Sequence, residues 1–113
     1  MNFEDLAIQL EMEKQEFLEM IGLFLRTSAT DLADLHAALK KKEGLEAARA
    51  AHSIKGAAVS LGLTEVYELA KELEMEALGN HFDQTEGEMM ALREKLNHMA
   101  EELKQESKAH VER

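Results

Sequence analysis

Cysteine, proline and tryptophan are all missing from this chain of 113 residues, and aromatic residues make up only 4% of it. Without cysteine the chain can build neither a disulfide framework nor a thiolate metal site. The lack of disulfides suits a reducing compartment. Without proline, the residue that most strongly interrupts helices is absent.

Long apolar runs are missing too. No stretch reaches the roughly 18 apolar residues that a membrane span requires. The first fifteen residues, MNFEDLAIQLEMEKQ, contain neither a basic segment nor a long apolar one, which argues against a signal peptide. We therefore expect a cytoplasmic protein that has no membrane partner.

Positive charge is in short supply. The chain has 23 Asp and Glu against 13 Lys and Arg, which gives a net charge of −10. Such a charge repels phosphate backbones, so we expect no nucleic-acid partner. A well-solvated surface accounts for most of these charges.

The composition favours helices. Ala, Leu, Met, Glu and Lys dominate, and all are strong helix formers. No segment alternates apolar and polar residues in the manner of a strand. We predict an all-α fold: an up-and-down four-helix bundle preceded by a short helix near Phe3–Gln9. The length fits a single domain over residues 1–113, in which residues 105–113 form a polar tail that we expect to fray.

Glycines and polar residues suggest where the helices end. Gly44, Gly62 and Gly79 each follow a helical pattern and are predicted to close it in the left-handed conformation. Thr64 is predicted to cap the next helix, and the pair Asp83 and Glu86 has the spacing of a capping box for the last one. The segment Arg26–Ser28 is a candidate kink in the first long helix.

The helix around His52 has two distinct faces. At about 100° per residue, one stripe is apolar and is predicted to face the core. His52 lies opposite the centre of that stripe, on the side of Lys55 and Gly56, and should reach solvent. The predicted core stripe comprises Ala47, Ala50, Ile54, Ala57, Ala58 and Leu61.

His52, Lys55 and Gly56 together suggest phosphoryl chemistry. A histidine with an ordinary pKa near 6.5 is mostly neutral in the cytoplasm and has a ring nitrogen free to attack phosphorus. Lys55 lies one turn away and could neutralise the phosphoryl charge. Gly56 costs about 0.5–1 kcal/mol in a helix, and we interpret it as leaving the imidazole accessible. A surface histidine beside a lysine is also common without any function, and a helix glycine often marks close packing.

The run His52-Ser53-Ile54-Lys55-Gly56, followed by two alanines and by Gly62, resembles the signature of histidine-containing phosphotransfer (HPt) domains. The resemblance covers most of the chain, roughly Glu13 to Met99. It extends to Phe24-Leu25, to the stripe Leu32, Leu35, Ala38 and Leu39, and to Leu69-Ala70 and Leu73-Glu74.

The resemblance implies a phosphocarrier of multistep two-component phosphorelays, with a role for each matching residue. His52 would accept a phosphoryl group from a receiver-domain aspartyl phosphate and pass it to another receiver. Lys55 would stabilise the phosphoryl group and Gly56 would leave room for the receiver. Glu74 would orient the imidazole, as the carboxylate does in a catalytic triad. The chain would have no cofactor or nucleotide site of its own. Its partners would be response-regulator receivers, which carry the Mg²⁺, and a hybrid sensor histidine kinase. Nothing in the sequence demands a dimer, and we expect a monomer.

Other functions compete with this one. Autokinase activity is disfavoured, because Ser53 follows His52 where sensor kinases usually have an acidic residue, and no ATP-binding domain fits in the chain. A di-iron bundle needs Glu three residues before His, and none of the five histidines has it. A non-catalytic helical adaptor that binds a receiver or kinase without being phosphorylated stays open. Leu45 and Val59, predicted on the face of His52, could serve docking in either role.

Overall fold

A computed structural model describes residues 2–111 and all side chains in that range except 107 and 109–111. Within it the chain is all-α and forms no strand, as the composition predicts. The expected short first helix is present with its predicted bounds. The five helices are α1 (Phe3–Gln9), α2 (Lys14–Lys40), α3 (Gly44–Ser60), α4 (Thr64–Leu78) and α5 (Phe82–Val111).

Two segments are helical where the sequence suggested an interruption or fraying. Helix α2 is continuous through Arg26–Ser28, where the side chain of Ser28 is buried. Helix α5 continues to Val111, well beyond Gln105. Fraying of this tail stays a prediction, and residues 112 and 113 lie outside the described part of the chain.

The ends of α1 to α4 share one backbone pattern, in which a residue after the helix is left-handed. That residue is a glycine at only one of the four ends. The residues in the left-handed region are Glu11, Lys42, Gly62 and Asn80, with φ of 55°, 56°, 71° and 58°. In each case the next residue donates its N–H to the carbonyl five residues earlier, for example His81 to Glu76 at 2.9 Å. This is the hydrogen bond of a Schellman motif, and it satisfies carbonyls that a helix end leaves free.

Only Gly62 therefore plays the terminating role predicted for three glycines. Gly79 has φ of −85°, and Asn80 takes the left-handed position after it. Asparagine tolerates that conformation better than most residues, but only glycines were predicted to adopt it. The predicted caps are also wrong: Thr64 is the first residue of α4, without a side-chain cap, and α5 begins at Phe82, before Asp83.

Gly44 has a packing role instead of a terminating one. It is the first residue of α3 and is buried. A β-carbon at this position would collide with the backbone carbonyl of Ala77 and the side chain of Asn80. The glycine therefore allows the start of α3 to approach the end of α4 closely.

The long helices pack in a closed sequence of contacts. Helix α3 packs on α2 and α4, α5 also packs on α2 and α4, and α1 lies against α2. The inward sides of these helices supply the core, whose largest fully buried side chains include Phe17, Ile21, Leu35, Ile54, Leu73, Leu92 and Met99. No helix within residues 2–111 has both the length and the apolar composition needed to cross a bilayer.

Candidate phosphoryl-transfer site

His52 lies on the outer face of α3, as the helical periodicity predicts. Its side chain is 66% exposed. The opposite stripe of α3 is buried at Ala47, Ala50, Ile54, Ala58 and Leu61, and Ala57 is half-buried. Burial of that stripe against α2 and α4 therefore fixes which side of the helix presents the imidazole to solvent.

Glu74 of α4 contacts the imidazole directly. Its Oε2 lies 2.6 Å from Nδ1 of His52, and the glutamate side chain is only 17% exposed. The contact joins residues 22 positions apart, so it exists only because α3 and α4 pack side by side. The structure thus brings together two residues that the resemblance pairs.

This contact determines which ring nitrogen is available. A carboxylate only accepts hydrogen bonds, so Nδ1 carries a proton and donates a hydrogen bond to Glu74. In the neutral ring the lone pair then lies on Nε2. Among the described residues Nε2 has no hydrogen-bond partner. With the ring neutral, the site thus presents an unprotonated nitrogen on an exposed side chain.

Lys55 is less exposed than its position on the helix suggests. Its side chain is 23% exposed, and its Nζ donates to Oε1 of Glu74 at 2.6 Å. The sequence placed Lys55 on a solvated face, and this placement is wrong because the packed α4 covers that side of α3. Glu74 therefore bridges His52 and Lys55 of α3, one through each carboxylate oxygen.

The environment of Glu74 favours its charged form. Burial by itself would raise the pKa of this carboxyl, but the hydrogen bonds from Lys55 and His52, together with their charges, outweigh it and lower the pKa below its ordinary value. Glu74 is therefore a carboxylate at neutral pH, as a hydrogen-bond acceptor for Nδ1–H must be.

Gly56 faces open space. A β-carbon built on it would meet no atom within 4 Å. Among the described residues, an added methyl group would therefore not crowd the imidazole. Access for a partner stays the predicted reason for this glycine.

Comparison with protein families matches residues 19–109 to the Hpt domain. The chain belongs to the Hpt domain family. The resemblance read from the sequence is thereby confirmed, and with it a role in phosphorelay signalling as a phosphotransfer domain that interacts with receiver domains. Hpt domains are phosphocarriers rather than enzymes. Comparisons with curated proteins and with solved structures found no match.

Exposed apolar side chains lie on the two helices of this Hpt domain that carry His52 and Glu74. Leu45 and Val59 of α3 are 60% and 59% exposed, as predicted. Sequence reasoning missed Met75 and Leu78 of α4, which are 60% and 58% exposed. Leu78 lies four residues after Glu74 and so on its face of α4. A helical projection of α4 anchored on Glu74 would have found it.

Sequence reasoning also missed a hydrogen bond next to the histidine. Ser53 donates from Oγ to Oδ2 of Asp31 in α2 at 2.8 Å. Consecutive residues of α3 are thus bonded to different helices, because His52 contacts α4 and Ser53 contacts α2. A helical projection of α3 places Ser53 beside the core stripe but does not reveal its partner.

A second histidine of the Hpt domain makes a similar contact away from the site. Nδ1 of His81 lies 2.8 Å from Oε2 of Glu76, and the His81 side chain is 58% exposed. No lysine joins this pair among the described residues. Its surroundings are acidic instead, since carboxylate oxygens of Glu72, Glu76 and Glu88 lie within 4.8 Å of one another.

Proposed function

We propose that this Hpt domain accepts a phosphoryl group on Nε2 of His52 from the aspartyl phosphate of one receiver domain and passes it to the aspartate of another. The observation that carries the proposal is the hydrogen bond from Nδ1 of the exposed His52 to the Glu74 carboxylate. Glu74 is the only polar partner of the His52 ring among the described residues, and it contacts Nδ1. The lone pair of the neutral ring is therefore on Nε2, which points away from Glu74.

In the transfer, the lone pair of Nε2 forms a bond to phosphorus while the bond between phosphorus and the aspartyl oxygen breaks. The aspartate leaves as a carboxylate with the electron pair of that bond. The proton on Nδ1 stays in its hydrogen bond to Glu74, which stabilises the positive charge that the ring gains. Return of the group to a receiver reverses the same step.

Lys55 stabilises the phosphoryl oxygens in this proposal. Its ammonium has three N–H donors, and Glu74 uses one of them in the free protein. Phosphoryl transfer needs mainly positioning and charge neutralisation, which a lysine one helical turn from the imidazole can supply. Glu74 orients the imidazole and holds Lys55 close to it.

The receiver supplies what this chain lacks. Gly56 and the exposed apolar side chains Leu45 and Val59 form the surface on which we place it. The Mg²⁺ ion belongs to the receiver, so the Hpt domain needs no cofactor of its own. The phosphoryl group originates in a hybrid sensor histidine kinase, and the chain has no autokinase activity.

The proposal also includes the topology of the bundle, the compartment of the protein and its oligomeric state. Short connections between helices that pack on their neighbours along the chain support an up-and-down four-helix bundle with α1 as an addition. We place the chain in the cytoplasm, where it acts as a monomeric single domain. An acidic surface supports the absence of a nucleic-acid partner.

The test follows labelled phosphate from a phosphorylated receiver into the purified chain in the presence of Mg²⁺. We expect label that is lost in acid and survives alkali in the wild type, and none in His52→Gln. His81→Gln is the matched control, since His81 is comparably exposed and has the same type of carboxylate contact. It should be labelled like the wild type.

Labelling of His52→Gln at the wild-type level would overturn the site assignment. Binding of receivers without any labelling of the wild type would favour the adaptor function instead. Circular dichroism of each variant checks that the bundle is folded.

A further inference from the structure

Helix α3 packs closely on α2 and α4, but mainly through small side chains. Apart from Ile54 and the C-cap residue Leu61, the buried residues of α3 are Gly44 and the alanines Ala47, Ala48, Ala50, Ala51 and Ala58. Alanine side chains are single methyl groups, so they give shallow ridges with little to fix the helix in one rotational setting. His52 is carried on this helix, and its direction follows the rotation of α3.

The contact between α2 and α3 is also open beside the site. A cleft of about 390 Å³ separates the two helices, lined by Ala37, Ala38 and Ala50 and by charged side chains around them. Asp31 and Ser53 both line this cleft, where Oγ of Ser53 donates to Oδ2 of Asp31 at 2.8 Å. Among the described residues it is the only side-chain hydrogen bond or ion pair that joins α2 to α3.

The two polar contacts of consecutive residues hold α3 from different sides. His52 is bonded to Glu74 of α4 and Ser53 to Asp31 of α2. A rotation of α3 that shortens one bond lengthens the other. Side-chain tips lie about 5–6 Å from a helix axis, so a rotation of about 10° moves them by about 1 Å. That displacement is enough to lose a hydrogen bond of 2.6 Å.

We propose that Asp31 and Ser53 are positioning residues for His52: their hydrogen bond fixes the rotation of α3 and so keeps the imidazole in its contact with Glu74. The effect on transfer rests on the proposed function, whereas the effect on the imidazole does not. Neither residue contacts the phosphoryl group in this proposal, and both act through His52.

The test combines a spectroscopic reading of the imidazole with the rate of transfer from a phosphorylated receiver. In Ser53→Ala and in Asp31→Ala we expect the ¹⁵N chemical shifts of the His52 ring to move toward those of a free imidazole that exchanges between its tautomers. We also expect the transfer rate to fall by about fivefold, the scale of one net hydrogen bond. Asp31→Asn keeps an acceptor oxygen for Ser53, so its ring shifts and its transfer rate should be those of the wild type.

Ser60→Ala is the matched control. Ser60 lies two turns after Ser53 on the same side of α3, and its Oγ donates only within the helix, to the carbonyl of Gly56 at 3.2 Å. This variant should leave the ring shifts and the rate unchanged.

The outcomes separate the inference from the proposed function. Ring shifts in Ser53→Ala that equal those of the wild type would overturn the positioning role, whatever the rates show. A slower rate in Ser53→Ala alone, with Asp31→Ala unchanged, would also overturn it, because loss of a receiver contact at Ser53 would then be the cause. A wild type that is never labelled would defeat the proposed function, while moved ring shifts would still support the positioning role.

Discussion

At the scale of single residues, Glu74 connects two polar side chains of α3. One carboxylate oxygen accepts from His52 and the other from Lys55, both at 2.6 Å. Because these contacts lower its pKa, the stability they contribute is present above the pKa of the carboxyl in the unfolded chain and is lost as the pH falls through the folded value. The geometry of the site is therefore maintained at neutral pH and lost in acid.

Lys55→Ala separates the role of this lysine in transfer from its role in stability. The substitution leaves the half-buried Glu74 with one partner, so we expect a loss of about 1 kcal/mol and a melting temperature lower by several degrees. Transfer to His52 should slow by about tenfold, since the cation nearest the phosphoryl group is lost. Rates and thermal unfolding, measured on the same preparation, check both effects.

Lys95→Ala is the control for Lys55. Lys95 of α5 is 24% exposed and pairs with Glu65 of α4. Glu65 lies on the side of α4 opposite to Glu74. Lys95→Ala should lower the stability no more than Lys55→Ala does, and it should leave the transfer rate unchanged. Equal slowing in both variants would mean that the rate reflects general stability and not the charge near His52.

Gly56→Ala tests whether this glycine serves access by a partner. No atom lies within 4 Å of the added methyl group, so the substitution should stabilise α3 by about 0.5–1 kcal/mol. Gly87 of α5 also faces open space, so Gly87→Ala should stabilise the chain similarly. We expect only Gly56→Ala to slow transfer, by about tenfold, because its methyl group would meet the docked receiver. Two variants with equal rates would show that Gly56 is not required for access.

At the scale of helices, α4 and α5 meet through an unfavourable group of carboxylates. Oε2 of Glu88 is buried and has no hydrogen-bond partner among the described residues. Burial, and then the charges of Glu72 and Glu76, raise the pKa of Glu88. A carboxyl whose folded pKa is raised lowers stability above that pKa, and the penalty disappears as the pH falls through it.

Glu88→Gln should therefore raise the melting temperature at pH 7 by a few degrees. The amide is uncharged and can donate hydrogen bonds to the neighbouring carboxylates. The difference from the wild type should shrink in acid, where Glu88 is itself neutral. Glu94→Gln, an exposed substitution on the same helix, should change little at either pH. A difference for Glu88→Gln that persists unchanged in acid would contradict this explanation.

The helix boundaries show how far local sequence patterns extend. Apolar periodicity predicted the elements because burying one stripe per helix dominates the energy of a bundle. It failed at the ends, where Lys42 and Asn80 take the left-handed position and Gly44 serves close packing. Which residue adopts that conformation depends on where the neighbouring helix forces the chain to turn, and this is a tertiary property.

At the scale of the whole molecule, the cations beside the histidine belong to a strongly acidic chain. The net charge is −10, yet Arg49 and Lys55 flank His52 on α3. Arg49 is paired with Glu46 at 3.1 Å and Lys55 with Glu74 at 2.6 Å. Each of these two cations therefore already has a carboxylate partner. In the proposed transfer, Lys55 would contact the phosphoryl group through N–H donors that Glu74 does not use.

Periodicity and a contiguous motif were enough to predict the all-α class, the five helices, the exposure of His52 and the family. The packing of the helices was needed to show that Lys55 is half-buried and that Ser53 reaches Asp31. It also showed that the contact of His52 with Glu74, which the resemblance implies, is made through Nδ1. These contacts join residues 19 to 22 positions apart. A pattern within one helix fixes which way a side chain points, but its partner depends on how the helices pack.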